Sequence, residues 1–591
     1  MSPPAENKKM QKFNGPSALI IMDGCGVRDE EAYNCVALAQ TPFLDCLRDG
    51  ICQAVRDVRT GALFEETSYT ELVAVGPKVG MPEGAKGSTA VGHEVLSGVD
   101  YVHPMHQINS AVIDGVMVNP AIDEAIDHAV AHNSAIHLIG LVSNNQEHSH
   151  IIHLYAILRR IVQRGAGKIR IHYFSDGRGT PPFSAARFLE DLNDMLLMIT
   201  TAEELNKERK VDYKVATIGG RDITMNRSTE SWYKTEATFR AIVEGQGPRM
   251  EEPEQALKAA YDKGLTDQYI TPTVLGDYAG VENNDVLIQW NFRKDRGEFL
   301  MRMLVDPVTD ITERLRNSPD DTYTGLKRFE RWKNKPALHY DTLHIVGLVE
   351  YYRGMRCPVA FREPIQDISL GKVLANYNFN QYRVSGVDKA KALTLLSGNK
   401  VGAPLPGEER ITIPLSSEVR RYIKEYDQHK GETGYKFEPY RKFPKIEIED
   451  LTEKIIEIIE AGDSKTVLLI NLCNPDMVGH TGDISAGIMA MMAVDKSLER
   501  IVTAIRAKGG FAIITADHGN IEEMITEDGE LNTFHTSNKV PFFLVGPPKT
   551  KLREDGTLSD VAPTMLSLLF GEEIQAVKKG MKGKLLFANG R

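Results

Sequence analysis

Two stretches of this sequence carry an apolar, β-branched run straight into an acid and an imidazole. Gly-Gly-Phe-Ala-Ile-Ile-Thr-Ala leads to Asp517-His518-Gly-Asn, and Thr466-Val-Leu-Leu-Ile-Asn-Leu472 leads to Asn-Pro-Asp476-Met-Val-Gly-His480. His535 follows in His-Thr-Ser-Asn-Lys-Val-Pro, and Asp23 closes an earlier run, Ile-Ile-Met-Asp23-Gly-Cys-Gly. Short β-branched runs read as buried strands, and open α/β sheets gather their ligands beyond the carboxyl ends of strands. Carboxylate and imidazole together suit zinc, manganese or iron, and the lack of paired cysteines disfavours a structural zinc knuckle. A lone histidine after a strand is ordinarily a hydrogen-bonded loop residue. Repeated acids and imidazoles at successive strand ends favour a metal site instead. Asp23, Asp476, His480, Asp517, His518 and His535 exceed the needs of one four-coordinate ion and suit a pair. Such a pair activates an oxygen nucleophile and screens a phosphate, which is phosphoryl-transfer chemistry.

The nucleophile is sought in Met81-Pro-Glu-Gly-Ala-Lys-Gly-Ser88-Thr89-Ala90-Val91-Gly92-His93, where a glycine-bearing loop reaches two hydroxyls and then a helix. A hydroxyl at a helix N-terminus faces unpaired N–H groups and the positive end of the dipole, a setting that favours phosphate. The same position equally suits a plain N-cap.

These residues must be held by strands and helices in alternation. Strands are expected at Ser17–Met22, Ile136–Val142, Ile169–Phe174, Val215–Ile218, Val286–Trp290, His344–Val349, Val467–Leu472, Phe511–Thr515 and Val540–Val545. Helical periodicity marks Ile151–Val162 and Ile488–Ile505, the latter stopping at Gly509-Gly510. A last helix begins at Leu558, capped by Ser559 or Asp560 with Pro563 in its first turn. This alternation implies parallel sheets covered on both faces. The 591 residues allow more than one domain. A net charge of −11 argues against nucleic-acid or anionic-membrane partners. No apolar run reaches the length of a membrane span, and Met-Ser-Pro-Pro-Ala-Glu-Asn-Lys-Lys has no apolar core, so no leader peptide is expected. The six scattered cysteines suit reduced thiols in a cytosol.

The motifs, in this order, resemble the cofactor-independent (2,3-bisphosphoglycerate-independent) phosphoglycerate mutases of the alkaline phosphatase superfamily. The shared features are Asp23-Gly-x-Gly, Val91-Gly92-His93, Gly-Leu-Val-Ser with His148-Ser-His150, and Asp176-Gly-Arg178. They continue with Gly220-Arg221, Asn291-Phe-Arg293-Lys-Asp-Arg296, Asn474-Pro-Asp476-Met-Val-Gly-His480-Thr-Gly, Ala-Asp517-His518-Gly-Asn, and His535-Thr-Ser-Asn-Lys-Val-Pro. The first dozen residues, 1–12, read as a disordered tail, and the resemblance implies two α/β domains: a discontinuous metal-binding phosphatase-like domain at 13–100 plus 365–591, and an inserted substrate-binding transferase domain at 101–364. It implies two manganese ions, with magnesium, cobalt or zinc as alternatives, and no 2,3-bisphosphoglycerate. One ion would be held by Asp476, His480 and His535, the other by Asp23, Asp517, His518 and the nucleophile. The implied reaction interconverts 3-phosphoglycerate and 2-phosphoglycerate, in glycolysis and gluconeogenesis, through a phospho-enzyme. A cytoplasmic monomer acting on a small phosphorylated carboxylic acid, with no nucleic-acid or membrane partner, is expected.

By the same resemblance Arg178, Arg221, Arg227, Arg293 and Arg296 bind substrate, and an arginine's rigid fork of donors matches carboxylate and phosphate. His148 contacts substrate or assists proton transfer, and Lys389 stands by the transferring phosphoryl group. Two departures stand out. The family's nucleophilic serine falls, by register before Val91-Gly92-His93, on Thr89. The family's Asp-Gly-Arg-Asp ends here in Gly179, so a carboxylate that lies by the substrate hydroxyls is absent. The departures keep two alternatives open: a related two-metal phosphatase or mutase for another phosphorylated acid, and a non-catalytic paralogue.

Overall fold

The computed structural model describes residues 13–49, 67–207, 211–227, 231–306, 308–309, 329–330, 337–352, 354–362, 368–398, 403–429, 437–526, 529–571 and 580–588, with Ile574 and Val577. The expected N-terminal tail lies outside them. The chain divides into two compact units, one made of Met1–His103 with Ile365–Arg591, the other of Pro104–Pro364.

The first unit is built on a seven-stranded sheet. From edge to edge its strands are Glu408–Ile413, Asn380–Gly386, Thr466–Leu472, Ser17–Met22, Ala512–Thr515, Val540–Val545 and Thr67–Leu72. The first five run parallel. Ser17–Met22 and Thr466–Leu472 are buried at every position, because side chains alternate between two covered faces. Fully burying each Leu or Ile there contributes about 1.5–3 kcal/mol. The parallel expectation fails at one edge: Val540–Val545 runs antiparallel to Ala512–Thr515, and Thr67–Leu72 antiparallel to it. The last helix runs Val561–Phe570 after a short 3₁₀ turn, and Thr557 and Asp560 cap that turn reciprocally.

The second unit has an eight-stranded sheet. Its order is Val359–Phe361, His344–Val349, Val286–Gln289, Ile136–Leu141, Lys168–Ser175, Asp212–Gly220, Thr273–Leu275 and Arg249–Met250. The strands from Val359–Phe361 through Asp212–Gly220 are parallel, and Thr273–Leu275 turns antiparallel.

Because the central strands of each sheet share a direction, their carboxyl ends open on one edge. In the first unit four adjacent strands end just before Lys389, Asp476, Asp23 and Asp517. In the second, four adjacent strands end just before Arg293, Ser143, Asp176 and Arg221. No helix among the described residues is long and apolar enough to cross a membrane. Cys25, Cys35, Cys357 and Cys473 are free thiols, but Cys46 is disulfide-bonded. The expectation of uniformly reduced cysteines is therefore corrected at that residue.

Candidate active site

At the first edge the side chains converge. Lys389 Nζ donates to Asp23 Oδ1 at 2.7 Å and to Asp476 Oδ2 at 2.6 Å, and stands 3.1 Å from Thr89 Oγ1. Thr89 Oγ1 lies 2.8 Å from His518 Nε2. His480 and His535 bring their Nε2 atoms within 3.4 and 3.1 Å of Asp476 Oδ1, and within 3.3 Å of each other. Asp476, His480 and His535 form one group of ligand spacing, and Asp23, Asp476 and His518 form another. The second grouping draws in Asp476, where Asp517 was expected. Asp517 Oδ2 stands 3.3 Å from His518 Nε2 and 3.2 Å from His93 Nδ1.

The imidazoles share one device. His480 Nδ1 lies 2.8 Å from the Thr533 carbonyl, His535 Nδ1 2.9 Å from that of Gly87, and His518 Nδ1 3.3 Å from that of Gly519. A carbonyl only accepts, so Nδ1 carries the proton and each Nε2 keeps its lone pair for the centre. This is the outer-shell arrangement of metal-binding histidines. His93, with Asp23 and Asp517, also has ligand spacing, but its Nε2 lies 3.1 Å from Asn471 Nδ2, an amide that can only donate. Its Nδ1 donates to the Thr89 carbonyl at 2.9 Å, so both ring nitrogens of His93 are already engaged and neither is left for an ion.

The charges fit a cation. Three carboxylates, Asp23, Asp476 and Asp517, are buried around a single ammonium. Burial, with Asp517 and Asp476 beside it, pushes Asp23 up to about 6. Burial pushes His518 down to about 3 and keeps it neutral. Asp476 is held well below the usual carboxylate range: Lys389 and the two imidazoles outweigh its desolvation. Asp517 Oδ2 and the Asn520 and Asn471 Oδ1 atoms are buried without a hydrogen bond. Neutral lone pairs facing carboxylates with unsatisfied oxygens are complementary to divalent ions.

Asn471, Asn520, Glu522 and His93 were missed by the sequence reading. Asn471 Nδ2 donates to Asp23 Oδ2 at 2.7 Å and Asn520 Nδ2 to Asp476 Oδ1 at 2.8 Å. Glu522 accepts from the Gly26 and Asn520 backbone N–H groups at 2.9 and 2.8 Å. Each lies inside or beside a motif already quoted, which is the signal that could have found it.

Thr89 opens the Thr89–Leu96 helix, and Ser88 is its N-cap without a side-chain cap bond. Gly92 explains the Val-Gly-His motif: a Cβ there would stand 2.5 Å from the Asp517 carbonyl oxygen. The helix therefore presses on the loop that carries Asp517 only because residue 92 has no side chain. Gly92→Ala is expected to push Thr89 out of line and lower turnover about 10²-fold, the cost of roughly an ångström of misplacement. Steady-state kinetics on folded variant, with metal content checked, measures this, and unchanged turnover would sink the packing argument.

The second edge gathers the arginines. Arg221 Nη1 donates to Asp176 Oδ1 and its Nη2 to His148 Nε2, both at 2.5 Å. Arg227 and Arg293 share Asp295, at 2.6 and 2.8 Å. Burial, with Arg227, Arg221 and Arg293 nearby, pushes Arg296 down to about 10, and its Nε is buried without a partner. Four of the five expected arginines thus form one electropositive cluster. Arg178 is exposed, and no hydrogen bond or ion pair of its guanidinium is found among the described residues. Burial and the neighbouring Arg221 and Arg293 lower His148, leaving it neutral, with Nδ1 buried and unpaired. Glu147, unforeseen, pairs with Arg293 and lies 3.5 Å from His148 Nε2.

Residues 108–351 match the family model described as "BPG-independent PGAM N-terminus". The chain is 33% identical to a 2,3-bisphosphoglycerate-independent phosphoglycerate mutase of Chloroflexus aggregans over 569 residues, covering 94% of this chain and 96% of that protein. It is 34% identical to the enzyme of the same name from Pseudomonas fluorescens over 558 residues, again covering 94% and 96%. Among solved structures it is similar to Leishmania mexicana phosphoglycerate mutase, determined at low cobalt concentration, with a TM-score of 0.67, 25% identity and 98% of each chain covered. With relatives of this similarity spanning nearly its whole length, the chain belongs to the 2,3-bisphosphoglycerate-independent phosphoglycerate mutases.

Proposed function

We propose that this protein interconverts 3-phosphoglycerate and 2-phosphoglycerate through a phosphothreonine at Thr89, without 2,3-bisphosphoglycerate. The observation that carries the reading is the position of Thr89 Oγ1, 3.1 Å from Lys389 Nζ and 2.8 Å from His518 Nε2 at the head of a helix. Two divalent ions, manganese first, would be held by Asp476, His480 and His535 and by Asp23, Asp517, His518 and Thr89. When bound they would lower the hydroxyl's pKa and screen phosphate charge.

In the first half-reaction Thr89 Oγ1 bonds to phosphorus while the bond from phosphorus to the glycerate oxygen breaks. That oxygen takes up one proton, balancing the one Thr89 gives up. In the second half the other glycerate hydroxyl attacks the phosphothreonine, loses its proton and restores Thr89. Lys389 keeps its ammonium through both: burial opposes the charge, but Asp23 and Asp476 raise its pKa. It would offset charge on the phosphoryl oxygens. Arg221, Arg227, Arg293 and Arg296 would hold carboxylate and phosphate, with Arg178 a further, exposed donor. His148 Nδ1 is the ring atom left to meet a substrate oxygen.

The proposed labour is divided. The metal-binding, phosphatase-like unit transfers the phosphoryl group, and the inserted unit recognises the anion. A cytoplasmic monomer fits this reading. One observation favours a net phosphatase instead, the missing carboxylate at Gly179. An enolase-coupled assay on manganese-loaded protein, with free phosphate followed in the same reaction, separates the two. Isomerisation is expected to dominate; phosphate without 2-phosphoglycerate would overturn the mutase reading.

A further inference from the structure

Gly179 is not an open position. A Cβ built on it would lie 1.6 Å from Asn145 Nδ2 and 2.6 Å from Asn145 Cγ, so the Asn145 amide already fills the volume a side chain at 179 would take. The two residues come from neighbouring strand ends. The loop holding Ser143 and Asn145 follows Ile136–Leu141, and the Asp176–Gly179 turn follows its parallel partner Lys168–Ser175.

The groups around the amide are already committed. Asp176 Oδ2 accepts from Ser143 Oγ at 2.7 Å. Its Oδ1 accepts from Arg221 Nη1 at 2.5 Å and from the Gly179 N–H at 3.0 Å. Asp176 is therefore scaffold: it anchors Arg221, which in turn bonds His148. The Asn145 backbone N–H is likewise used, donating to Ser143 Oγ at 3.1 Å. The half-buried Asn145 side-chain amide makes no hydrogen bond among the described residues. It offers two donors and an acceptor, beside a cluster of arginines suited to carboxylate and phosphate.

We propose that the Asn145 side-chain amide binds the free hydroxyl of the phosphoglycerate and so orients the glycerate. The assignment rests on the mutase reading and deepens it. An amide cannot take up a proton at neutral pH, so Asn145 positions the hydroxyl and leaves proton transfer to other groups. It also accounts for glycine at 179: a side chain there would have to displace the amide.

The test uses binding as well as turnover. Full-length, manganese-loaded wild type, Asn145→Ala and Asn145→Asp are titrated calorimetrically with 3-phosphoglycerate and with 3-(phosphonooxy)propionate, which lacks the hydroxyl. Asn145→Ala is expected to weaken 3-phosphoglycerate binding about threefold to tenfold, the worth of one hydrogen bond, and to leave the deoxy ligand unchanged. Asn145→Asp, which keeps an acceptor, is expected to retain discrimination between the two. Equal loss for both ligands, or no loss for either, overturns the assignment while leaving the mutase reading intact. Wild type that binds neither ligand overturns both.

Discussion

Thr89→Ala is expected to abolish isomerisation, with a loss on the order of 10⁶-fold, as for removal of a nucleophile elsewhere. Thr89→Ser should keep measurable turnover, because a primary hydroxyl can occupy the same place. The threonine methyl stiffens χ1, so serine gains rotational freedom and should lose some rate to misorientation. Ser88→Ala should be close to wild type, since Ser88 makes no side-chain cap bond and only Thr89 Oγ1 meets both Lys389 and His518. Trapping the phospho-enzyme and locating the phosphate by mass spectrometry provides a second measure. Activity that survives Thr89→Ala but vanishes in Ser88→Ala would move the nucleophile one residue back.

Metal is the second large effect. Manganese-loaded protein is expected to carry about two ions per chain, as a phosphoryl-transfer pair requires, and Asp476→Ala to fall below one. Asp476 lies within ligand reach of both groups and accepts from Lys389 and Asn520. Its removal should therefore cost more metal than loss of any single imidazole. Affinity should fall as pH drops through about 6, the value to which burial raises Asp23. Below it Asp23 takes a proton and no longer offers its charge to the ion. Elemental analysis across pH 5–8 on folded protein tests both points. Metal content that stays near zero throughout, or does not change with pH, would remove the basis for the pair.

Much of this site was legible because its ligands follow strands that are largely apolar and buried at every position. Ser17–Met22, Thr466–Leu472 and Ala512–Thr515 are buried on both faces, and such runs stand out in any sequence. Thr67–Leu72, Asn380–Gly386 and Glu408–Ile413 were missed because their residues are polar: Thr-Ser-Tyr-Thr-Glu-Leu, Asn-Gln-Tyr-Arg-Val-Ser-Gly and Glu-Glu-Arg-Ile-Thr-Ile. Arg383, for example, is buried by pairing with Glu408, a contact that only the fold can reveal. Strand direction at the Val540–Val545 edge was equally hidden, since composition does not encode it. Within the site, acids and imidazoles advertise metal chemistry, whereas Asn471, Asn520 and Glu522 look like ordinary loop and strand residues until their partners are known. Asn145 was invisible for the same reason: its interest lies in the glycine opposite.

The placement of Ser17–Met22 also bears on how the protein is made. This strand pairs with Thr466–Leu472 on one side and Ala512–Thr515 on the other, both encoded hundreds of codons later. At about 5–20 residues per second of synthesis, a strand that is apolar from Ala18 to Met22 waits roughly 20–100 seconds for its neighbours. The inserted unit Pro104–Pro364, whose strands among the described residues pair with one another, can complete its sheet during that wait. The nascent chain therefore carries a finished unit behind an unpaired, aggregation-prone strand. Aggregation during expression is therefore expected to follow the length of this interval more than the stability of the finished protein.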